Sequence, residues 1–529
     1  MNYLINWTFL NFFIKLQWGL NFNYMSASTK LFDLIKSLSQ SERGYIKKSI
    51  FNKKGEDAMY LRLFDLIHDL EEYDEDKFLL KHKKEKFVKN FSKNKNQLYN
   101  VILKRLSRYY ENSSIEIQIK ETIAQGIVLY KKGLFQLSSE QFEKALHMAL
   151  ENEEYASSFE ICIHLTRVHG YGINGIEEDK KSLMRELIDN LNKEYKLYDL
   201  NNQIRDLLFI DYSTSIENRN KVLNIINNPA LDTIGNEDGI KLQLRKLMIK
   251  SHGYHILHED IKHREAKQEY YNIVTKNEIF KKNNPEYHLV ATINLINSNL
   301  KFKDFKNVDL LLNELKNIDA SDNSQMNFMK WNGYYLLVLM YENISGNYSK
   351  DKNDIEEILK WVEENKHRMS DYYSIEFNHL LFNRHFITEK YKECIPFINN
   401  LKNTKSEFRK DQQLASKIHL LVLHYELKNY ALIEYLIRSV YREFMKYENE
   451  LESEKYILRW MQKLIKKINN KETLKSALLE LKDKMHKMEN NQQWTPLDSL
   501  KLFIIWMNSK IEEKSMIDII KEEKKELAK

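Results

Sequence analysis

From Leu31 onward, apolar residues recur every third or fourth position, the period of helices that bury one face. Leu31, Leu34, Ile35 and Leu38 form the first such stripe, and Ser39 with Glu42 has the spacing of a capping box that opens a second helix. Leu61, Phe64, Leu66, Ile67 and Leu70 predict a third, which runs out in an acidic stretch from Glu71 to Asp76. A basic stretch follows, then a helix with Leu98, Ile102, Arg105 and Tyr109 on one face. Asn112-Ser113-Ser114 reads as a break and bounds a helical N-terminal domain at residues 25–113. Residues 114–529 continue as helix after helix. Asn227-Asn228-Pro229 and Asn283-Asn284-Pro285 mark helix ends, because proline disfavours helix in the residue before it. Pro396 suits the first turn of a helix. Leu474, Leu478, Leu481, Met485 and Met488 have heptad-like spacing, expected of a terminal capping helix or of one facing a partner. Residues 522–529 read as a solvated tail.

The passage after the break carries the clearest unit. Ile119, Ile123, Gly126, Ile127 and Tyr130 fall at helical spacing, Lys132-Gly133-Leu134 turns the chain, and Phe142, Ala145, Leu146 and Ala149 share a face of the next helix. This pair resembles a tetratricopeptide repeat, whose two helices press together at small residues. Gly126 stands at the small site of the first helix, Gly133 at the turn and Phe135 at the aromatic after it. Ser138 takes the family's Ala site, and Phe142 and Ala145 its aromatic and small sites. The departures are Thr122 where the family often has Trp, Gln125 where it has Leu, Leu129 where it has Tyr, and Leu150 in place of the closing Pro. Weaker copies surround Lys303-Asp304-Phe305, Lys390-Tyr391-Lys392 and Lys428-Asn429-Tyr430, with Leu312, Ile398 and Ile437 at the bulky site of each second helix. Tyr391 and Tyr430 are 39 residues apart, which implies lengthened, degenerate repeats. The chain is also similar to an uncharacterised family of bacterial helical-repeat proteins, a likeness that implies no activity. The expected fold is all-α: a tetratricopeptide-like solenoid of stacked helical hairpins over 114–529, behind a small basic helical domain.

Composition agrees. The chain has 13 Gly and 4 Pro in 529 residues, where average usage would give roughly 37 and 26. Sheets with many φ > 0 turns need more of both. Asparagine can replace glycine at caps and helix C-termini. Hydrophobic residues make up 43% and aromatics 12%, enough for a packed core and too many for a disordered chain. Cys162 and Cys394 are far apart and form no CxxC pair, so they read as reduced, buried thiols of a cytoplasmic protein. Residues 1–24 differ in character: Trp, Phe, Leu and Ile with Lys15 as the only charge and five asparagines between them. They are expected to be an over-read start or a disordered extension, with a membrane anchor as the alternative. No later segment is apolar for the length of a membrane span, and no membrane is expected among the partners.

Three patterns raise chemistry. Gly170-Tyr171-Gly172-Ile173-Asn174-Gly175 satisfies G-x-G-x-x-G, and Ile161, Ile163 and Leu165 before it could form a strand. Glu177, Glu178 and Asp179 then stand where a pyrophosphate would sit, so an inter-helix loop is the better account and no cofactor is expected. His252, His255, Glu259 and His263 fall in a stripe of about 80° if one helix carries them all. Gly253 disturbs that helix, no further ligand source is evident, and a solvated polar face explains the group better than a metal. Residues 77–110 hold eleven bases and one acid, Glu85, in a chain whose net charge is only +6. Lys81, Lys83, Lys84, Lys86, Lys89, Lys93, Lys95, Lys104, Arg105 and Arg108 are candidates to contact phosphate, the alternative being a lysine-rich solvated face that pairs with the acidic run at residues 69–76. Phe87, Phe91, Tyr99 and Tyr109 are spaced as core, not as a base-stacking platform.

No P-loop, nucleophile elbow or HExxH motif occurs, and an enzyme is not expected. The expectation is a scaffold that binds a peptide or helical partner, with a nucleic-acid-associated regulator as the alternative. The resemblance implies that Ile123, Ile127, Tyr130 and Lys131 line a groove on the first helix of the clear repeat, although the three apolar residues suit inter-repeat core equally well. Nothing in the sequence fixes the partner's identity or the oligomeric state.

Overall fold

The computed structural model describes residues 29–50, 56–110, 114–170, 178–210, 216–320, 323–348, 352–403, 410–445, 452–465, 471–490 and 500–527. Among them the fold is all-α, a series of helices with no strand. The expectations for residues 1–24 and for the glycine-rich segment from Tyr171 to Gly175 lie outside the described residues. The N-terminal helices are α1 (Lys30–Ser37), α2 (Gln40–Ile50), α3 (Glu56–His68), α4 (Glu75–Lys81) and α5 (Phe91–Tyr110), with a 3-10 turn at Lys86–Val88. Their predicted stripes converge: Leu31, Ile35, Phe64, Ile67, Leu98 and Ile102 belong to one buried cluster. The capping box forms as the spacing required. The Ser39 amide donates to Glu42 Oε2 at 2.6 Å, and the Glu42 amide donates to Ser39 Oγ at 3.2 Å. Glu42 also accepts the Tyr110 hydroxyl at 2.6 Å, which ties α2 to the end of α5.

Next come α6 (Ile115–Lys131), α7 (Phe135–Glu151), α8 (Tyr155–His169), α9 (Glu178–Ile210), α10 (Ile216–Ile226), α11 (Pro229–Asp232), α12 (Ile240–Ile256), α13 (Asp260–Lys276), α14 (Glu278–Asn283) and α15 (Pro285–Lys301). The remainder are α16 (Phe305–Asn317), α17 (Ser324–Ser345), α18 (Lys352–Asn365), α19 (Asp371–Ile387), α20 (Ile395–Asn403), α21 (Lys410–Glu426), α22 (Tyr430–Phe444), α23 (Glu452–Ile465), α24 (Lys471–Asn490), α25 (Lys501–Glu512) and α26 (Met516–Leu527). The described residues of Leu20–Ala291 with Asp319–Met329 make one compact unit. Those of Thr292–Ile318 with Lys330–Lys529 make another. In the first, α6, α7, α8 and α9 pack in succession, and α9 packs on α12 and α12 on α13. In the second, α19 through α26 pack each on the next.

One turn recurs through both units. Gly133, Glu153, His258, Lys303, Glu389 and Lys428 are left-handed, with φ between 55° and 76°. Each donates its amide to the carbonyl three residues back, and the next residue donates to the carbonyl five back at 2.8–3.0 Å. This is the Schellman closure of a helix. It joins α6 to α7, α7 to α8, α12 to α13, α15 to α16, α19 to α20 and α21 to α22. Glycine holds only the first of these positions. Glutamate, histidine or lysine holds the rest, at about 1–2 kcal/mol of backbone strain each. Asparagine, the residue expected to replace glycine, takes none of the six. Three turns share a further feature: Tyr130–Phe135, Phe386–Tyr391 and Tyr425–Tyr430 meet edge to face at 5.6, 5.3 and 5.9 Å.

Register across each hairpin follows from the turn. Five residues after the left-handed position stand Ser138, Ser158, His263, Val308, Cys394 and Ile433, all buried. Where that side chain is polar it tends to reach the backbone of the opposite helix. Ser138 donates to the Gly126 carbonyl at 2.8 Å, His263 Nδ1 lies 2.9 Å from the Ser251 carbonyl, and Cys394 Sγ is 3.8 Å from the Phe382 carbonyl. Four residues further on, Phe142, Cys162, Lys267, Leu312, Ile398 and Ile437 occupy the bulky site, again buried.

Ile161, Ile163 and Leu165 lie in α8, so the strand that a dinucleotide-binding loop would need before it is not formed. Two expectations are corrected. Gly253 does not disturb a helix start. It is internal to α12, where an added Cβ would fall 2.0 Å from Ile226 Cγ2, so its bareness lets α10 approach. Leu474, Leu478, Leu481 and Met485 are core, so this stripe faces no partner, and α25 and α26 follow α24, so it is not terminal; the Met488 side chain lies outside the described residues. Residues 522–527 continue α26, and the Glu522 side chain, 46% exposed, pairs with Lys514 at 2.6 Å, which leaves the solvated reading standing there; residues 528–529 lie outside the described residues.

Candidate functional site

The basic segment is built on an aromatic footing. Phe78 of α4, Phe87 of the 3-10 turn and Phe91 of α5 pack together with ring centroids 5.7–6.2 Å apart. Asn94, itself buried, donates its amide to the Phe87 carbonyl at 2.9 Å, and Asn90 bends the chain at φ 78°. The connection between α4 and α5 is thereby pinned from below. Its lysines lie at the surface: Lys81, Lys83, Lys84, Lys86, Lys89 and Lys93 are exposed, as are Lys104 and Arg108 further along α5. Two candidates differ. Lys95 is half-buried, pairs with Glu75 and lies 5.0 Å over the Phe91 ring, so it is withdrawn from any phosphate. Arg105 is half-buried as well.

Of the nearby acids, Asp74 and Glu75 pair with bases of the segment itself, and Glu85 pairs outside it. Asp74 caps α4 by accepting the Lys77 amide at 3.0 Å and pairs with the Lys77 ammonium at 2.9 Å. Those bonds hold its carboxyl below, and the Lys77 amine above, their usual ranges. Glu85, the one acid inside the segment, pairs with Arg62 at 3.2 Å. Burial, and then the charge of Lys81, keep the His82 imidazole below its ordinary range.

In the clear repeat the four proposed groove residues part company. Ile123 is 3% exposed and belongs to the cluster with Ile119, Phe142 and Leu146, which leaves it no face for a partner. Ile127 and Tyr130 are half-buried against the same cluster, and Lys131 alone is exposed. Three aliphatic side chains without a place in the repeat pattern are open here: Val128 (52%), Leu134 (45%) and Leu137 (47%).

The histidine group is not one helical stripe and not a solvated face. The chain turns at His258-Glu259, so His252 and His255 lie on α12 and His263 on α13. All three are buried, with the His255 and His263 rings 5.4 Å apart. Lys267 joins them at the bulky site, also buried. Burial pushes its amine down to about 7. Burial, then the charges of Lys267 and His263, hold His252 well below its ordinary range. Among the described residues no cluster of His, Cys, Asp and Glu has the makings of a metal site.

A polar seam in the second unit was not anticipated. Glu376 of α19 accepts Gln412 Nε2 of α21 on both oxygens at 3.2 Å, and both residues are buried. Arg384 pairs with Glu342 at 2.6 Å, also buried. Its one sequence signal was the i, i+3 recurrence of Tyr373, Glu376 and His379 in an apolar helix. Burial drives His419 down to about 3 and the Cys394 thiol up to about 12, so neither ionises near neutrality.

These features define a helical-repeat protein built of hairpins in series. Searches of family models, curated proteins and solved structures return no match to the chain.

Proposed function

We propose that this protein is a binding scaffold, not an enzyme, which takes a peptide or helical segment of a partner protein on its stacked hairpins. What supports the reading is the recurrence of one hairpin, with the same turn and the same buried register, from Gly133 to Lys428. Repeats of this kind bury their apolar faces on neighbours and present the remaining faces in series. The resemblance of the α6–α7 pair to a tetratricopeptide repeat points the same way. Lys131 and the exposed Val128, Leu134 and Leu137 make the first hairpin the best place for a contact, since exposed aliphatic side chains near a charge suit a protein partner. The buried, unpaired thiols of Cys162 and Cys394 support a cytoplasmic setting. Among the described residues no helix is long and apolar enough to cross a membrane.

The test is affinity capture by the full chain, with and without nuclease, read by mass spectrometry beside a variant carrying Lys131→Glu and Leu134→Asp. A defined protein set that survives nuclease and is lost by the variant is expected. A set that persists on the variant would remove the first hairpin from the contact, and a set released by nuclease would overturn the scaffold reading.

A further inference from the structure

We infer that the face formed by Lys81, Lys83, Lys84, Lys86, Lys89 and Lys93 binds the phosphate backbone of double-stranded nucleic acid without reading its bases. This goes beyond the scaffold reading and does not depend on it.

Charge is the first ground. Glu75, Asp74 and Glu85 are engaged with Lys95, Lys77 and Arg62, and among the described residues none of the six lysines has a carboxylate partner. The acidic stretch thus neutralises Lys77 and Lys95, while the six lysines of this face form no ion pair with it among the described residues.

Order is the second. The buried Asn94 amide and the packed rings of Phe78, Phe87 and Phe91 fix the backbone that carries these lysines. Charges on a fixed backbone meet a polyanion with less ordering to do on binding. Along α5, Lys93 continues into Lys104 and Arg108, both exposed and within about 60° of it around the helix, a stripe about 22 Å long. That length matches roughly six base pairs of duplex.

The choice of duplex over single strand rests on what this face lacks. Sequence-tolerant binding of single strands uses aromatic side chains on which bases stack. Here Phe78, Phe87 and Phe91 are all buried in the footing. Lysine supplies a point charge without the planar fork that reads a base edge, so contact with phosphate is what this set does best. An anionic membrane is the less favoured polyanion: Leu80 is the one large apolar side chain exposed between Lys77 and Lys93 among the described residues, too little to insert.

The experiment uses the full chain and a fluorescein-labelled random-sequence duplex, read by polarisation from 50 to 200 mM salt. Single strands of the same sequence and phosphatidylserine vesicles are run beside it. Six phosphate contacts predict an affinity loss of about a thousandfold across that range. Replacing Lys83, Lys84, Lys86 and Lys89 together by Gln is expected to weaken binding at least tenfold at 50 mM and flatten the salt slope by about 3–4. The four side chains are exposed, so the variant's circular dichroism and melting should match the parent's. Absence of duplex binding at 50 mM, binding unchanged in the variant, equal affinity for single strands, or retention on vesicles alone would each overturn the inference.

Discussion

The hydroxyl of Ser138 donates to the main-chain carbonyl of Gly126 at 2.8 Å, across the interface of two antiparallel helices. The contact exists because both residues are small. A Cβ added at Gly126 would lie 2.6 Å from Cε1 of Phe142, the bulky residue one turn beyond Ser138. Gly126→Ala is therefore expected to destabilise the protein by about 1–3 kcal/mol, the range for overpacking a core. Gly126→Ala combined with Phe142→Leu should lose less than the sum of the two single changes, measured by chemical denaturation. Additive losses would place the strain elsewhere.

Lys428 is a left-handed lysine (φ 60°) in an exposed turn, and glycine reaches that conformation without strain. Lys428→Gly is expected to stabilise the α21–α22 hairpin by about 0.5–1 kcal/mol, seen as a higher melting midpoint. A lower midpoint would mean that the lysine side chain contributes more than the backbone loses.

Lys267 gives a pH dependence of known sign. Its folded pKa, about 7, lies below the ordinary 10.5, so between those values the unfolded chain holds a proton the folded one has released. Stability contributed by this site thus rises with pH across that window and is lowest at or below neutrality. His252, with its pKa also depressed, adds a loss of stability as pH falls below its ordinary 6.5. Replacing Lys267 with Met should stabilise the protein at pH 7, on the order of 2–4 kcal/mol, with the gap to the parent closing toward pH 10. Urea denaturation of both proteins at pH 7, 8.5 and 10 measures that gap, and a gap that does not change with pH would show that Lys267 is charged in the fold.

The carboxylate of Glu153 accepts the backbone amides of Ile240 and Lys241 at 2.6 and 2.7 Å, which caps the N-terminus of α12 with a negative charge. Glu153→Gln keeps the shape but removes the charge and one acceptor. A loss of about 1–2 kcal/mol is expected. Equal stability of the two proteins would mean that solvent satisfies those amides as well as the carboxylate does.

The fold was legible where residues punctuate it. Gly133 and the aromatics Phe135, Phe305, Tyr391 and Tyr430 announce their turns, and Ser39 with Glu42 announces a helix start. Tyr155 marks the Glu153 turn in the same way, but the turn at His258 carries no glycine, proline or following aromatic, so nothing local marked it. That is why His252, His255 and His263 read as one helix: a break at His258 puts the last on the opposite side of a hairpin and buries all three. The signal that would have found it is the spacing of twelve between the small Ser251 and His263, the same as between Gly126 and Ser138. For the basic face, the run of lysines was plain. Which acids neutralise which bases was not, because Glu75 and Lys95 are brought together by the packing of α4 beneath α5.

The bridge from Glu153 to Ile240 spans 87 residues, whereas each Schellman turn closes within six. Hairpins with such short closures form in microseconds, and joining distant parts of a chain takes longer because more conformational freedom is lost first. The expected order of assembly in this unit is that α6–α7–α8 and α12–α13 form independently and then dock through Glu153. Stopped-flow refolding would show Glu153→Gln slowing the docking phase and leaving the fast phase untouched. A single carboxylate at the end of α7 would then set how long the early hairpins of a newly made chain remain open to misplaced neighbours.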